Sequence, residues 1–515
     1  VRALDVRWQR RLADALQAKV QVLLGIADAI QELIDLLEAL QSAGLYVLPV
    51  ATNEGVTGLK RAFIEAGNRP DGGYLAGVCL LAAGPGLKDA AVLWEILAGG
   101  ALERAGRETV QLAEEAGATI EDAASESIDT ILAAAAFKET GCCRRLIVAG
   151  CLPERYREEV RDALPEADFF LGTGAYDRIV DALAEEIEGP APCLLPHPDS
   201  LAPQTTDTPR ARPQGPMAYL KIAEGCDRQC TFCIIPRLRG RQKSRPLHDI
   251  LQEARKMVAA GIKELVLVGQ ETTRYGADRP NEDKGLADLL AELSALSEDL
   301  WIRFMYGHPD SLSDTILQTV ASHANLCPYF DIPIQHVSAP VLRRMGRPYD
   351  PSRITQLVRH IRASMPEAAL RTTVIVGFPG ETDDDFDQLR HFIETVPFDH
   401  LGVFTYSDAD DLASHRLPDQ VPPDIAQRRR DILMERQMGI SEALNQKYLG
   451  RHIDVLLEES PESGLFIGRT MFQAPEVDGL TYVRPITPGN PMAVGQFVRT
   501  RIVDTLEYDL VGEPE

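Results

Sequence analysis

Ala218-Tyr219-Leu220-Lys221-Ile222-Ala223-Glu224-Gly225-Cys226-Asp227-Arg228-Gln229-Cys230-Thr231-Phe232-Cys233 is the stretch on which the reading of this chain turns. Its first half is an apolar run that reads as a buried strand. Its second half carries three cysteines at C-x3-C-x2-C spacing. Three thiolates this close converge on something, and soft sulfur ligands select iron–sulfur clusters, zinc or copper(I). Structural zinc normally takes four protein ligands, usually as two spaced pairs. The local count here stops at three, which leaves one metal position open. A 4Fe-4S cluster on three cysteines keeps one iron free for a ligand. A zinc knuckle completed from a distance, or three buried thiols, are the alternatives.

The chain has 515 residues, which implies two to four domains. Its 53 basic and 77 acidic residues give a net charge of −24. That balance argues against a protein held to nucleic acid mainly by phosphate contacts and favours a basic partner. Plain solubility would give the same balance. Nine cysteines, an odd count, with no secretory signal, fit a reducing cytoplasm better than a disulfide framework. No apolar run reaches the ~18 residues of a membrane span. Residues 20–40 come nearest, but Asp28, Glu32, Asp35 and Glu38 make them an amphipathic helix.

Residues 1–74 read as a helical extension of unknown role, and 75–190 alternate strand and helix, an α/β pattern with a parallel sheet. Strands are expected at 75–81 and 146–148, and helices at 90–97, 127–137 and 155–164. Prolines recur through 191–216, which reads as an extended linker. Residues 217–420 repeat a strand-then-helix unit, with strands expected at 218–223, 264–268, 301–305, 329–334, 371–376 and 400–404. Six such units predict a partial, open relative of the (β/α)8 barrel, whose functional groups sit at the C-terminal strand ends. The three cysteines follow the first strand, Gln270-Glu271 the second and Tyr306-Gly307-His308-Pro309 the third. Gln335-His336 follow the fourth, Gly377-Phe378-Pro379-Gly380-Glu381 the fifth and Tyr406-Ser407 the sixth. His308 and His336 read as hydrogen-bonded structural histidines. Gly377 and Gly380 either let a cofactor approach the backbone or make a tight turn. A charged connecting helix at 421–448 leads to a small antiparallel β-barrel at 449–515.

The C-x3-C-x2-C motif after a first strand, with Phe232 before the last cysteine, resembles the radical S-adenosylmethionine (radical SAM) superfamily. The run from Ala218 to Cys226 resembles its methylthiotransferase branch and within it the RimO type, a resemblance that extends from about Leu75 to the C-terminus. Glu126-Ser127-Ile128-Asp129-Thr130-Ile131-Leu132, Leu146-Ile147-Val148-Ala149-Gly150-Cys151-Leu152 and Phe170-Leu171-Gly172-Thr173-Gly174 are similar to the family's N-terminal domain. The tail resembles the TRAM domain, an OB-like module that grips RNA in many relatives. Its string Ala474-Pro475-Glu476-Val477-Asp478-Gly479 looks like the RimO type.

The resemblance implies that Cys226, Cys230 and Cys233 hold a 4Fe-4S cluster whose open iron binds S-adenosyl-L-methionine. One electron, from a flavodoxin-type donor, then yields a 5′-deoxyadenosyl radical. Phe232 and Ile234 would meet the adenine. Gln270, Glu271 and Gln335 would hold the ribose and methionine, and Gly377 and Gly380 would let the cofactor approach. The family's N-terminal domain holds a second 4Fe-4S cluster, of whose ligands Cys151 matches. The other two fall on Ala83 and Gly117, which cannot ligate iron, although Cys79, Cys142 and Cys143 lie in the same domain. For the RimO type the implied substrate is the β-carbon of an aspartate in small-subunit ribosomal protein S-twelve, a basic protein. A MiaB-type tRNA adenosine methylthiotransferase is one alternative. Another is an altered paralogue that lacks the second cluster and binds the ribosomal protein without sulfur insertion.

Overall fold

The structure, a computed structural model, describes residues 45–50, 77–82, 120–140, 143, 145–175, 178–184, 191–200, 215–281, 284–462, 464–484 and 492–515, the first two stretches as backbone. Three β-sheet systems organise them. A mixed sheet, in the order β1 (Leu45–Val50), β2 (Gly77–Ala82), β3 (Leu146–Ala149), β4 (Phe169–Leu171), β5 (Cys193–Leu194), forms the N-terminal part. β3, β4 and β5 are parallel, as the α/β pattern predicts. β1 and β2 run antiparallel to their neighbours, so the sheet as a whole is not purely parallel. β1 also corrects the all-helical reading of 1–74: Leu45-Tyr46-Val47-Leu48 is rich in residues that favour strands. β5 draws the first residues of the expected linker into the sheet, pairing Cys193 with Phe170. The helices expected at 127–137 and 155–164 are Ile120–Ala135 with Phe137–Thr140, and Cys151–Tyr156 with Glu158–Ala163. The helix expected at 90–97 lies outside the described residues, as do Ala83, Gly117 and Cys142.

The central unit is the half-open barrel that the βα repeat predicts. β6 (Met217–Lys221), β9 (Glu264–Val268) and β10 (Trp301–Phe304) form one parallel sheet, with β9 in the middle. The ribbon of β7 (Ala223–Glu224) and β8 (Lys243–Ser244) lies between β6 and β9 in sequence. β11 (Tyr329–Asp331), β12 (Ala369–Val376) and β13 (His400–Thr405) form the second parallel sheet. A single bridge from Ile302 to Leu326 joins the two, through Ile302 N–H to the Asn325 carbonyl and Cys327 N–H to the Ile302 carbonyl. Strands buried on both faces read as continuous apolar runs, and Glu264-Leu-Val-Leu-Val268 departs from that only at its first residue. Leu265 and Leu267 pack outward under the crossover helices. Val266 faces the lumen with Met217, Trp301, Met305 and Tyr329.

The helix Pro423–Asn445 packs against the last strands. Two of its arginines are docking groups: Arg430 donates to the Val403 carbonyl and Arg429 to Asp383. The tail is a closed barrel of β14 (His452–Glu462), β15 (Leu465–Arg469), β16 (Thr481–Val483), β17 (Phe497–Thr505) and β18 (Leu510–Pro514). Closure leaves no exposed sheet edge. Among the described residues, no helix is long and apolar enough to cross a membrane.

Candidate functional site

The cysteine loop begins where β7 ends. Gly225 has φ +80°, and a Cβ there would lie 2.2 Å from the Arg241 carbonyl oxygen, so only glycine fits. Its N–H donates to Gln270 Oε1 at 2.7 Å, and Cys226 N–H donates to the Gly240 carbonyl. The far side of the loop is clasped by the end of the helix Ala339–Arg344. There Thr231 gives its N–H to the Met345 carbonyl and its hydroxyl to the Arg344 carbonyl. Gly346, at φ +73°, presses against Gln229, where a Cβ would come within 2.5 Å of the carbonyl oxygen.

Two arginines frame the sulfurs. The Arg228 N–H donates to Cys226 Sγ at 3.4 Å. Its guanidinium grips Glu271 through two bonds of 2.9 and 2.7 Å and also donates to Ser311. Glu271 is 3% exposed, so this pair fixes the loop from below. Arg347 donates through Nε to Cys230 Sγ at 3.3 Å. Burial pushes the Cys226 thiol up to about 11, and negative charge on Glu271, Cys233 and Cys230 adds to the rise. Cys233 is raised by burial too, with Cys230 adding to it. The Cys226 and Cys233 thiols are thus disfavoured from ionising in the bare protein. A bound cation reverses that penalty, because coordination deprotonates a thiol. Among the described residues, no three Cys, His, Asp or Glu side chains are gathered as a single metal ion requires. Cluster ligands each bind a different iron and stand wider apart. The donor set fits an iron–sulfur cluster: three soft sulfurs, with N–H groups directed at two of them.

The remaining expected residues line the same strand ends, with different roles. Phe232 meets Phe378 edge-on at 6.4 Å, and Phe378 meets Tyr406 at 5.1 Å, which makes an apolar wall beside the loop. Ile234 is half-buried and precedes the helix Ile235–Arg239. Gln335 is 8% exposed at φ +65°, and its Oε1 is buried without a hydrogen-bond partner. A strained backbone and an unsatisfied oxygen at one residue point to a ligand contact. Gly377 and Gly380 serve the turn itself. A Cβ on Gly377 would lie 2.3 Å from that of Ala426, and one on Gly380 would meet the Arg344 guanidinium. Glu381 Oε2 ties this turn, accepting from the Gly377 and Phe378 N–H groups, while its Oε1 faces His336 Nε2 at 3.7 Å. His308 accepts from the Asp310 N–H through Nδ1, the structural role expected of it.

Cys151 is half-buried at the end of β3, and Arg239 Nη2 approaches its Sγ at 3.7 Å. It therefore faces the helix that follows the cysteine loop. Thr173 reinforces that contact by donating to the Leu238 carbonyl, as does the Arg155 carbonyl by accepting from Arg237 Nη2. Cys143 is buried in the N-terminal core, with its Sγ toward the Arg145 carbonyl, a packing role. Arg228 lies within the cysteine stretch, but its position there carries no signal of its role. Arg347 had no local signal at all.

The Radical SAM superfamily model matches residues 220–393, and the TRAM domain model matches residues 449–514. The half-open barrel with its cysteine loop is thus that of a radical SAM protein. Over 398 residues the chain is 50% identical to the ribosomal protein uS12 methylthiotransferase RimO of Desulfosudis oleivorans, covering 77% of this chain and 90% of that protein. It is 44% identical to the RimO of Clostridioides difficile over 76% of this chain and 88% of that one. It is 43% identical to the RimO of Geobacter sulfurreducens, with the same two coverages. The chain belongs to the RimO family of ribosomal protein uS12 methylthiotransferases.

Proposed function

We propose that the chain is a radical SAM methylthiotransferase acting on ribosomal protein uS12, with the methylthio group going to the β-carbon of an aspartate. The observation that carries this reading is 50% identity to a RimO protein across 90% of that protein's length. The net charge of −24 supports it, since it suits a basic protein partner.

Cys226, Cys230 and Cys233 are the proposed holders of the 4Fe-4S cluster. When bound, that cluster supplies the electron that breaks a C–S bond of S-adenosylmethionine. The electron itself comes from an external carrier, for which a flavodoxin-type protein is the proposed donor. The chain's own part is position and exclusion of water. Glu271 and Arg228 hold the loop, and Gln270 anchors its first glycine. Phe232, Ile234 and the Phe378 ring offer an apolar surface to the adenine. Gln335 offers its free Oε1 to an N–H or O–H of the bound ligand. Gly377 and Gly380 shape the turn that carries Phe378. RNA contact through the TRAM barrel belongs to this reading as a secondary docking element.

The test is an anaerobic assay of the reconstituted full chain with a uS12 peptide and, separately, a tRNA stem-loop. The peptide is expected to gain the mass of a methylthio group in place of hydrogen. Transfer to the RNA alone would overturn the reading in favour of the MiaB type.

A second reading rests on Ala83 and Gly117, which stand where the family pattern puts two ligands of the second cluster. If only Cys151 remains, the chain cleaves S-adenosylmethionine without inserting sulfur. Iron and sulfide counting separates the two: about eight irons per chain for two clusters, about four for one.

A further inference from the structure

Arg347 meets the cysteine loop in a way that the proposed ligand set alone does not require. Its Nε–H points at Cys230 Sγ at 3.3 Å, while Nη1 donates to the Pro333 carbonyl at 2.7 Å. Its guanidinium lies 5.8 Å from the centroid of the Phe232 ring. Its backbone N–H caps the preceding turn on the Leu342 carbonyl, and its carbonyl accepts from the Tyr349 N–H. The side chain is therefore fixed on several sides, and the bond to sulfur is not a wandering surface contact. Among the described residues, it is the guanidinium that donates directly to a sulfur of the trio. That of Arg228 is committed to Glu271 and Ser311.

We propose that Arg347 sets the reduction potential of the cluster on Cys226, Cys230 and Cys233, through a charge-assisted N–H···S bond to Cys230. This inference rests on the ligand assignment proposed above. Reduction adds one electron, from an external one-electron donor, and makes the cluster and its thiolates more negative. A hydrogen bond from a cation stabilises that form more than the oxidised one, which raises the potential. Arg347 touches a ligand sulfur rather than the reacting atoms, so it is a positioning and tuning residue.

The test is a mediated redox titration of the reconstituted full chain, followed by the electron paramagnetic resonance signal of the reduced cluster. In R347Q the ratio of reduced to oxidised cluster at a fixed poise is expected to fall about tenfold, a drop of about 59 mV for one electron. R347K keeps a charge nearby but loses the Nε–H aimed at sulfur, so a smaller shift in the same direction is expected. R343Q removes an exposed charge from the same helix end and is expected to leave the potential in place. An unmoved potential in R347Q overturns the proposal, as does an equal shift in R343Q. If R347Q does not take up iron, R347K decides, and an unmoved potential there overturns it. If the unsubstituted chain takes up no iron, the ligand assignment itself has failed.

Discussion

His308 shows how firmly individual side chains are committed around the loop. It is 6% exposed, its N–H bonds the Thr273 hydroxyl, and its ring stands edge-on to Tyr349. Burial pushes its pKa down to about 2, and the guanidinium charges of Arg347, Arg228, Arg274 and Arg353 add to the drop. The imidazole stays neutral in the folded chain, whereas the unfolded chain protonates it below its ordinary 6.5. The unfolded state then binds the extra proton, so stability falls as pH falls from 6.5 toward 2. H308N keeps an acceptor for the Asp310 N–H and removes the titration. Its unfolding free energy, from urea titrations, is expected to depend less on pH below that value, by up to about 1.4 kcal/mol per pH unit. Equal slopes for both proteins would show that His308 is charged when folded. At this scale the cysteines were legible because their spacing is local, and Glu271 because it follows a recognisable strand. Arg347 was not, because it meets Cys230 across 117 residues of chain, a contact that only the closed fold creates.

At the scale of elements, the turn after β12 couples the ligand mouth to the C-terminal helix. Gly377 has φ +75°, and Ala426 of the helix Pro423–Asn445 sits where its Cβ would be. Glu381 holds the same turn, and Thr382 caps the next helix in a capping box with Asp385. G377A forces a strained backbone and a clash together, so a loss of about 2–4 kcal/mol is expected. The loss should appear in the denaturant midpoint of the cluster-free protein. If the glycine served only the approach of a cofactor, that midpoint would stay put and only ligand binding would suffer. The six barrel strands were readable because a strand buried on both faces writes itself as an apolar run. Arg428-Arg429-Arg430 lie in the charged connecting helix. Two of them are in fact buried, because a long side chain can lay its stem on a core and aim its head at a carbonyl. β1 and the antiparallel edge were not foreseen, since pairing direction depends on partners far along the chain.

Across the whole molecule, the TRAM barrel is built into the floor of the radical SAM barrel. Arg469 reaches Glu264 and Glu458 at its base, and Arg303 holds Glu264 from the other side. Asp478 accepts from Arg371 and from the Tyr329 hydroxyl. Trp301 lies 4.6 Å from Phe497 of the tail, ring centre to ring centre. Burial alone would raise the Glu264 pKa, but the charges of Arg469 and Arg303 outweigh it and hold the group below its ordinary 4.5. Its contribution is therefore present above that value and is lost as pH falls through the lower folded pKa. Arg469 is one of several basic residues in the tail, yet it is 1% exposed and spent on this clasp. E264Q leaves the buried Arg303 without its carboxylate partner and Arg469 with Glu458 alone, so a loss of about 3–5 kcal/mol is expected. The two barrels should nonetheless unfold together. With Trp8 and Trp94 replaced by Phe, Trp301 fluorescence reports on the seam, and far-ultraviolet circular dichroism reports on the whole. Coincident transitions mean that barrel and tail form one cooperative unit. Deleting 449–515 should then yield an insoluble or unfolded barrel, because it uncovers Glu264, Arg303 and Tyr329 at once. An E264Q protein whose Trp301 signal moves well before the dichroism would show instead that the tail detaches as a separate module.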